Sequence, residues 1–305
     1  MVMILTENET LLPARDMRGL IDLARLAERA GFDAVMVSEQ TMLSSDAAAN
    51  GLMENPRMYA DIGNQHPGTA WPSSVATLAA VAAATERVRI VAGAIIAPLR
   101  HPILLAKDLA TIDLIAEGRL VVQPTVSWQE PEYVAHGIPF HRRGAILDEH
   151  LAAMRALWSG SPAEFRGEFF SFSDVWSEPK PWRPEGPRMW FGGAHVHGPL
   201  VRRLADYGHG FHPFGTPTDD DLEQLAAGLA ARGRDLSELE LVGGTRATFS
   251  GPGSVADVEA SMASFERQVE QGFTTFCMKP SQYTDDLGEV EDVCHRMVEV
   301  LVNLS

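Results

Sequence analysis

The chain has 305 residues, 45% of them apolar, and a formal net charge of −16. That length suits one large α/β barrel or two smaller domains, with apolar residues enough for a sizeable core. The acidic balance argues against nucleic acid or an anionic membrane as a partner, but not against an anionic small ligand, which backbone amides at a helix start can hold.

Short apolar strands alternate with amphipathic helices along the whole chain. Val2 to Leu5 reads as the first strand. Asp16 to Ala30 reads as a helix with Leu20, Leu23, Ala27 and Ala30 on one face and Gly31 as its stop. Ala34 to Val37 is the next strand, Pro72 to Thr85 a helix with proline near its start, and Val88 to Ile96 a strand. The helix from Pro102 carries Leu105, Leu109 and Ile112 at helical spacing and stops at Gly118. Leu120 to Val122 forms the fourth strand, and Gln123 to Trp128 its exit, with Pro124 tolerable because the ladder is ending.

The second half repeats the scheme. Arg143 to Trp158 is helical, Met189 to Phe191 a strand, and a helix starts near Pro199. Gly210 to His212 and Leu239 to Val242 read as strands, with a helix over Asp219 to Ala231 between them. Ser254 is expected to cap a helix bearing Val255, Val258, Met262, Phe265 and Val269. Phe273 to Met278 and a helix through Val290, Met297 and Leu301 close the pattern. Helix-to-strand joints share a Gly-aromatic signature at Gly31-Phe32, Gly210-Phe211 and Gly272-Phe273. About eight strand-helix pairs make a (β/α)8 barrel, with a doubly wound sheet as runner-up.

Two stretches break the alternation: Glu39 to Ala70, rich in Gly, Asn, Pro and Met, and Ser159 to Pro187, rich in aromatics and prolines. Long loops of this kind carry function more often than not, and on a barrel the loop after strand 2 lies on the C-terminal face. With no linker or low-complexity segment, residues 1–305 read as a single domain. The two cysteines, Cys277 and Cys294, lack metal-type spacing and fit a reducing cytoplasm. No targeting segment is visible, and the apolar run Val75 to Ala84 is too short to span a bilayer.

Chemistry concentrates in four places. In "WFGGAHVHGPL" (Trp190 to Leu200) a glycine turn leads into a helix. Gly192, Gly193 and Ala194 let backbone amides approach a phosphate, with His195 or His197 as a side-chain donor. The same histidines, with His212, are the candidate set for a metal-dependent barrel hydrolase, though no clear carboxylate completes it. Gly93 inside "VAGAIIAPLRHP" marks a bulge, a close approach to a ligand, or tight packing. Glu39-Gln40 follows strand 2, where Glu39 is a general base, an ion-pair partner or solvated; Trp128 is core or the wall of an apolar pocket. Walker, Rossmann and G-x-S-x-G signatures are absent from the sequence.

Five segments together resemble the bacterial-luciferase-like family of flavin- and F420-dependent oxidoreductases and monooxygenases. They are "RAGFDAVMVSEQ", "ERVRIVAGAIIAPLRHPILLAKDLATIDLIAEGRLVV", "VSWQEPEYVAHGIPFHRRGAILDEHLAAMRALW", "FRGEFFSFSDVWSEPKPWRP" and "PRMWFGGAHVHGPLVRRLADYGHGF", in family order. The resemblance implies an α/β fold, a (β/α)8 TIM barrel with insertions after strands 2 and 4. It implies F420, or alternatively FMN, in the C-terminal mouth. It further implies a non-prolyl cis peptide at a strand-3 bulge, falling at Gly93-Ala94, with Thr125 also at the ring. The phosphate turn maps to Gly192, Gly193, Ala194, His195 and His197. Glu39, Gln40 and Trp128 become the catalytic candidates; Met42, Met53, Met58, Trp128 and His212 line the substrate pocket. A cytoplasmic, homodimeric enzyme acting on a small organic molecule, with no resident metal, is the expectation; a non-catalytic flavin or deazaflavin carrier is its rival. Three departures stand out: Gln123, Thr125 and Ser127 where many relatives have glycines, and Gln40 and Gln129 where histidines are common. Glutamine bonds a cofactor but shuttles no proton at neutral pH.

Overall fold

The computed structural model describes residues 1–304. Its first half runs β1 (Val2–Ile4), α1 (Met17–Arg29), β2 (Ala34–Val37), α2 (Ser74–Ala84), β3 (Arg89–Ile96), α3 (Pro102–Ile115), β4 (Leu120–Thr125), α4 (Glu130–Ala135), α5 (Arg143–Ser159), β5 (Ala163–Arg166) and β6 (Ser171–Val175). The second half runs β7 (Arg188–Phe191), α6 (Gly198–Tyr207), β8 (Gly210–Phe211), α7 (Asp219–Ala230), β9 (Glu240–Gly244), β10 (Thr248–Phe249), β11 (Ala256–Asp257), α8 (Val258–Met262), α9 (Ser264–Glu270), β12 (Thr275–Met278) and α10 (Val290–Leu304). Strands β1, β12, β9, β8, β7, β4, β3 and β2 close a parallel eight-stranded barrel in that order, and β5–β6 and β10–β11 are separate antiparallel pairs. Every residue of β1, β2 and β12 is buried, as strands covered on both faces require.

By its contacts the chain forms two compact units. One comprises Met1–Met36, Met53–Tyr59 and the chain from Met189 onward. Here Arg234 covers the exposed carbonyls at the end of α6, donating to Leu204 and Gly208. The segment Met53–Tyr59 is stapled down: Asn55 donates to the carbonyls of Gly251 and Ser254, and Arg57 pairs with Asp285.

The other unit comprises Val37–Leu52 and Ala60–Arg188. Arg119 caps α2 through Ala82, Thr85 and Val88, and Lys180 caps α5 through Leu157 and Gly160. The aromatic-rich stretch forms the β5–β6 hairpin, which follows α5 and folds back along it. At its tip, Glu149 of α5 accepts from the Phe169 amide at 2.7 Å, and Arg142 pairs with Glu168 at 2.8 Å.

Four local readings shift. Pro72 lies before the helix, whose N-cap is Ser73. Ser254 is not a cap: its hydroxyl bonds Gly251, and Asp257 caps α8 through the Ala260 amide, leaving Val255 40% exposed. Gly31 and Gly272 are left-handed turns (φ 83° and 89°), but Gly210 lies inside β8. A Cβ on Gly210 would meet the Trp190 ring at 2.4 Å, so that glycine answers to packing. Pro124 belongs to the strand rather than its exit. It pairs with Ile95 immediately past a register shift between Gly93 and Ile95, where an irregular ladder tolerates a residue without an N–H.

Candidate functional site

In a parallel barrel the C-terminal strand ends carry the functional side chains. In the unit built on β3 and β4, the β3 bulge sits at Gly93 to Ile95, and the Gly93-Ala94 peptide is cis, where the resemblance placed it. Thr125, half-buried, ends β4 opposite Ile96.

Glu39 follows β2 and is 7% exposed. Its carboxylate takes the Ile96 amide at 2.7 Å, Arg100 Nη1 at 2.8 Å and Nη2 at 2.5 Å, and the Ser74 hydroxyl. Four donors, two of them from a guanidinium, saturate both oxygens. The geometry therefore makes Glu39 the ion-pair partner that fixes the end of β3, and leaves no lone pair for proton abstraction. His150 lies against this support, with Nδ1 2.9 Å from the Ile146 carbonyl and Nε2 2.7 Å from the Arg100 carbonyl, and the single N–H of the neutral ring serves one of the two. Burial keeps its pKa below the ordinary histidine range.

Gln40 belongs to a second network. The Gln129 amide is 1% exposed; its oxygen accepts from the Ser44 amide at 3.2 Å, and its nitrogen donates to the Met42 carbonyl at 3.1 Å. Those backbone partners have fixed polarity, so they fix which end of Gln129 is nitrogen. The same nitrogen donates to Gln40 Oε1 at 3.3 Å. Gln40 Oε1 is therefore engaged as an acceptor, and its NH2 is the group it has to offer as a donor. Glu132, fully buried, holds the same loop by accepting from the Thr41 amide and hydroxyl, both at 2.7 Å, and from the Met42 amide at 3.3 Å. Trp128 is half-buried beside this network, and Ser127 has φ 57°. Met42 thus enters through its backbone.

In the other unit, Gly192 and Gly193 follow β7. A Cβ on Gly192 would lie 1.6 Å from the His212 carbonyl oxygen, whereas one on Gly193 would meet only the His195 oxygen at 3.7 Å. Gly193, Ala194, His195 and Val196 line a shallow pocket of about 200 Å3, open solvent included, with Phe211, Pro213 and Asp221. His197 is the N-cap of α6; its Nδ1 accepts from the Leu200 amide at 3.3 Å, so that nitrogen serves the helix. Thr218 holds the Asp221 carboxyl below its usual range, with a smaller share from the Val196 amide. That leaves the amides of Ala194, His195 and Gly198 without partners among the described residues.

His212, half-buried, lies 3.7 Å from Cys277 Sγ and edge-on to Trp190. Burial pulls its pKa down to about 4. Met53 is half-buried, and Met58 is 37% exposed, its carbonyl accepting from Lys279 Nζ at 2.7 Å. Met42 falls in one unit and Met53 and Met58 in the other, so the methionines do not form one cluster within either. Among the described residues, no three His, Cys, Asp or Glu side chains gather to hold a metal ion, and no helix is long and apolar enough to cross a membrane.

Sequence reasoning passed over Lys279, Glu7, Arg246 and Tyr59. Lys279 is 1% exposed, and burial lowers its pKa while Glu7 and Glu9 push it back. Arg246 follows β9, its Nε buried without a partner, near Tyr59 and His212. The signal was there: "FCMK" and "LVGGTR" put a charge just past an apolar strand, as "AVMVSE" does at Glu39.

The luciferase-like monooxygenase family model matches residues 1–296. An uncharacterised protein of Mycobacterium tuberculosis is 36% identical over 214 residues, 70% of this chain and 74% of the relative. An FMNH2-dependent dimethylsulfone monooxygenase of Pseudomonas putida is 30% identical over 189 residues, 61% of this chain and 46% of the relative. In structure, monooxygenase RslO1 from Streptomyces bottropensis aligns with TM-score 0.74 at 21% identity, over 99% of both chains. An F420-dependent secondary alcohol dehydrogenase aligns with TM-score 0.69 at 16% identity over 98% of both. At those identities the structural likeness bears on the fold.

Proposed function

From the premise that this chain belongs to the luciferase-like monooxygenase family and is an enzyme of that kind, we propose that it is an F420-dependent oxidoreductase acting on a small organic molecule. We read residues 1–305 as one domain doing this work. The observation that carries the reading is the β3 bulge at Gly93-Ala94, braced by the saturated Glu39 network. When bound, the deazaflavin supplies the hydride acceptor or donor. Gly93, Ala94 and Thr125 would meet its ring. The turn at Gly192, Gly193, Ala194 and His195 fits a phosphate, because free amides and the open space at Gly193 stand together there. His197 caps the following helix and supports that turn.

Gln40 offers a fixed N–H donor, suited to an oxygen or nitrogen acceptor on ring or substrate, and carries no proton itself at neutral pH. Glu39 acts as a positioning residue. Trp128 and Met42 are the substrate-contact candidates of the unit built on β3 and β4, and His212 and Met53 those of the other unit. FMN is the second cofactor reading, favoured by the Pseudomonas relative.

Titration of the purified protein with F420 and, separately, FMN, followed by fluorescence and equilibrium dialysis, tests the reading. Binding of F420 in preference to FMN is expected. Preference for reduced FMN moves the assignment to a flavin monooxygenase, and failure to bind either overturns it.

A further inference from the structure

Within the unit containing β9 and β12, the buried or half-buried cations Arg57, Arg234, Lys279 and Arg246 can be compared by their partners. Arg57 pairs with Asp285. Arg234 has Glu238 and three backbone carbonyls. Lys279 donates to the Met58 carbonyl and faces Glu7. Arg246 is different: among the described residues no carboxylate pairs with it, and its buried Nε donates to nothing.

Two further polar groups in this part of the unit lack a partner. The Tyr59 and Tyr283 hydroxyls are buried, lie beside Thr245, and neither makes a hydrogen bond of standard geometry. Tyr59 lies near Arg246 and stays protonated, because burial pushes its hydroxyl well above the ordinary tyrosine range, and His212, whose pKa burial lowers to about 4, adds no competing charge at neutral pH. Tyr59 is not free to swing away, because Asn55, Arg57 and the Met58 carbonyl pin its segment on the residues just before it.

Arginine cannot discharge by losing its proton. A half-buried guanidinium whose Nε is shut off from water without an acceptor is destabilising, and the orphaned hydroxyls of Tyr59, which lies near it, and of Tyr283 add to that cost. A guanidinium fork with a tyrosine hydroxyl near it has the complementarity of a planar anion site: N–H donors without a carboxylate partner, a hydroxyl able to turn its proton toward an anion, and one uncompensated positive charge. We propose that Arg246, with Tyr59 and Tyr283, binds a carboxylate of the substrate, so that the enzyme acts on a small organic acid. This rests on the oxidoreductase reading above and extends it to a substrate class. The strongly acidic chain gives such a site a selective value, since an organic acid is repelled everywhere that a local cation does not receive it.

The test uses the full-length protein, with and without bound cofactor. Thermal melting and calorimetric titration are run with sodium acetate and sodium benzoate, against benzyl alcohol and sodium chloride at matched ionic strength. A carboxylate is expected to raise the melting temperature of the parent, and its neutral or chloride counterpart not. In Arg246→Met the carboxylate Kd rises at least tenfold, while the ligand-free variant melts at the parent's temperature or above it. In Tyr59→Phe the Kd rises a few-fold with the fold intact. Cofactor Kd stays within twofold in both variants.

A parent that responds to neither carboxylate overturns the proposal, as does an Arg246→Met variant that keeps the response. Ligand-free Arg246→Met melting several degrees lower makes Arg246 structural. Loss of cofactor binding in that variant assigns the anion to the cofactor and not to the substrate. If the parent binds no cofactor, the oxidoreductase reading fails while the carboxylate titration still reads out the site.

Discussion

Replacing Glu39 by glutamine separates a structural carboxylate from a reactive one. The Glu39 side chain is 2% exposed and its Arg100 partner 21%. Glutamine keeps one acceptor oxygen but points an NH2 group at donors, since all four partners of Glu39 are N–H or O–H groups. Breaking a buried ion pair by removing one partner costs about 3–5 kcal/mol. Partial solvent access at Arg100 puts Glu39→Gln toward the lower end, about 3 kcal/mol. At roughly 2 °C per kcal/mol for a chain of this size, the midpoint should fall by about 6 °C. Circular dichroism melts and urea titrations measure it. A double cycle with Arg100→Met sharpens the reading: the pair replaced together should cost less than the two single costs added. A midpoint within a degree of the parent, with turnover abolished, would refute the structural assignment and restore Glu39 as a general base.

Gly192→Ala should destabilise strongly, because its Cβ would lie 1.6 Å from a backbone oxygen that cannot move alone. Gly193→Ala, with 3.7 Å of clearance, should melt like the parent yet bind cofactor more weakly; equal affinity in dialysis removes Gly193 from the phosphate turn. His212 has an ordinary value of 6.5 lowered to about 4 in the fold. Between those values the unfolded chain takes up a proton that the folded chain refuses. Stability therefore falls as pH drops from 6.5, by up to about 3 kcal/mol once pH is below 4. In His212→Asn that component of the acid loss should vanish from urea titrations run across the same range. Gln129→Leu should loosen the 40–44 loop, visible as faster proteolysis there with the barrel's melting midpoint little changed.

The barrel was legible because its determinants are local and repeated. Period-2 and period-3.6 patterns survive in a sequence whatever the tertiary neighbours do. Boundaries were lost where two local solutions compete. Ser254 has the right chemistry for a cap, but a turn at Gly251 claims its hydroxyl, and Asp257 three residues on takes the helix. Gly210 looks like the turn glycines Gly31 and Gly272, yet it is required by Trp190 from the neighbouring strand, a contact no window of sequence contains.

The same distinction explains the site. Which residues stand at strand ends could be read from the pattern, and Glu39, Gln40, Thr125 and Gly192 are there. What each is free to do could not, because freedom depends on partners far along the chain: Arg100 lies 61 positions from Glu39, and Gln129 lies 89 from Gln40. A carboxylate and an amide at successive positions look equally reactive in sequence. In the fold, the carboxylate has no acceptor capacity left, while the amide's oxygen is engaged by Gln129 and its NH2 is what it has to offer. Arg246 is the converse. Its sequence neighbourhood shows only a charge just past an apolar strand, and what sets it apart in the fold is that Arg57, Arg234 and Lys279 have found partners. An unneutralised charge that the fold tolerates is a stronger pointer to a ligand than a residue type at a promising position, because the free energy it costs must be offset by something, and among the described residues that something is missing.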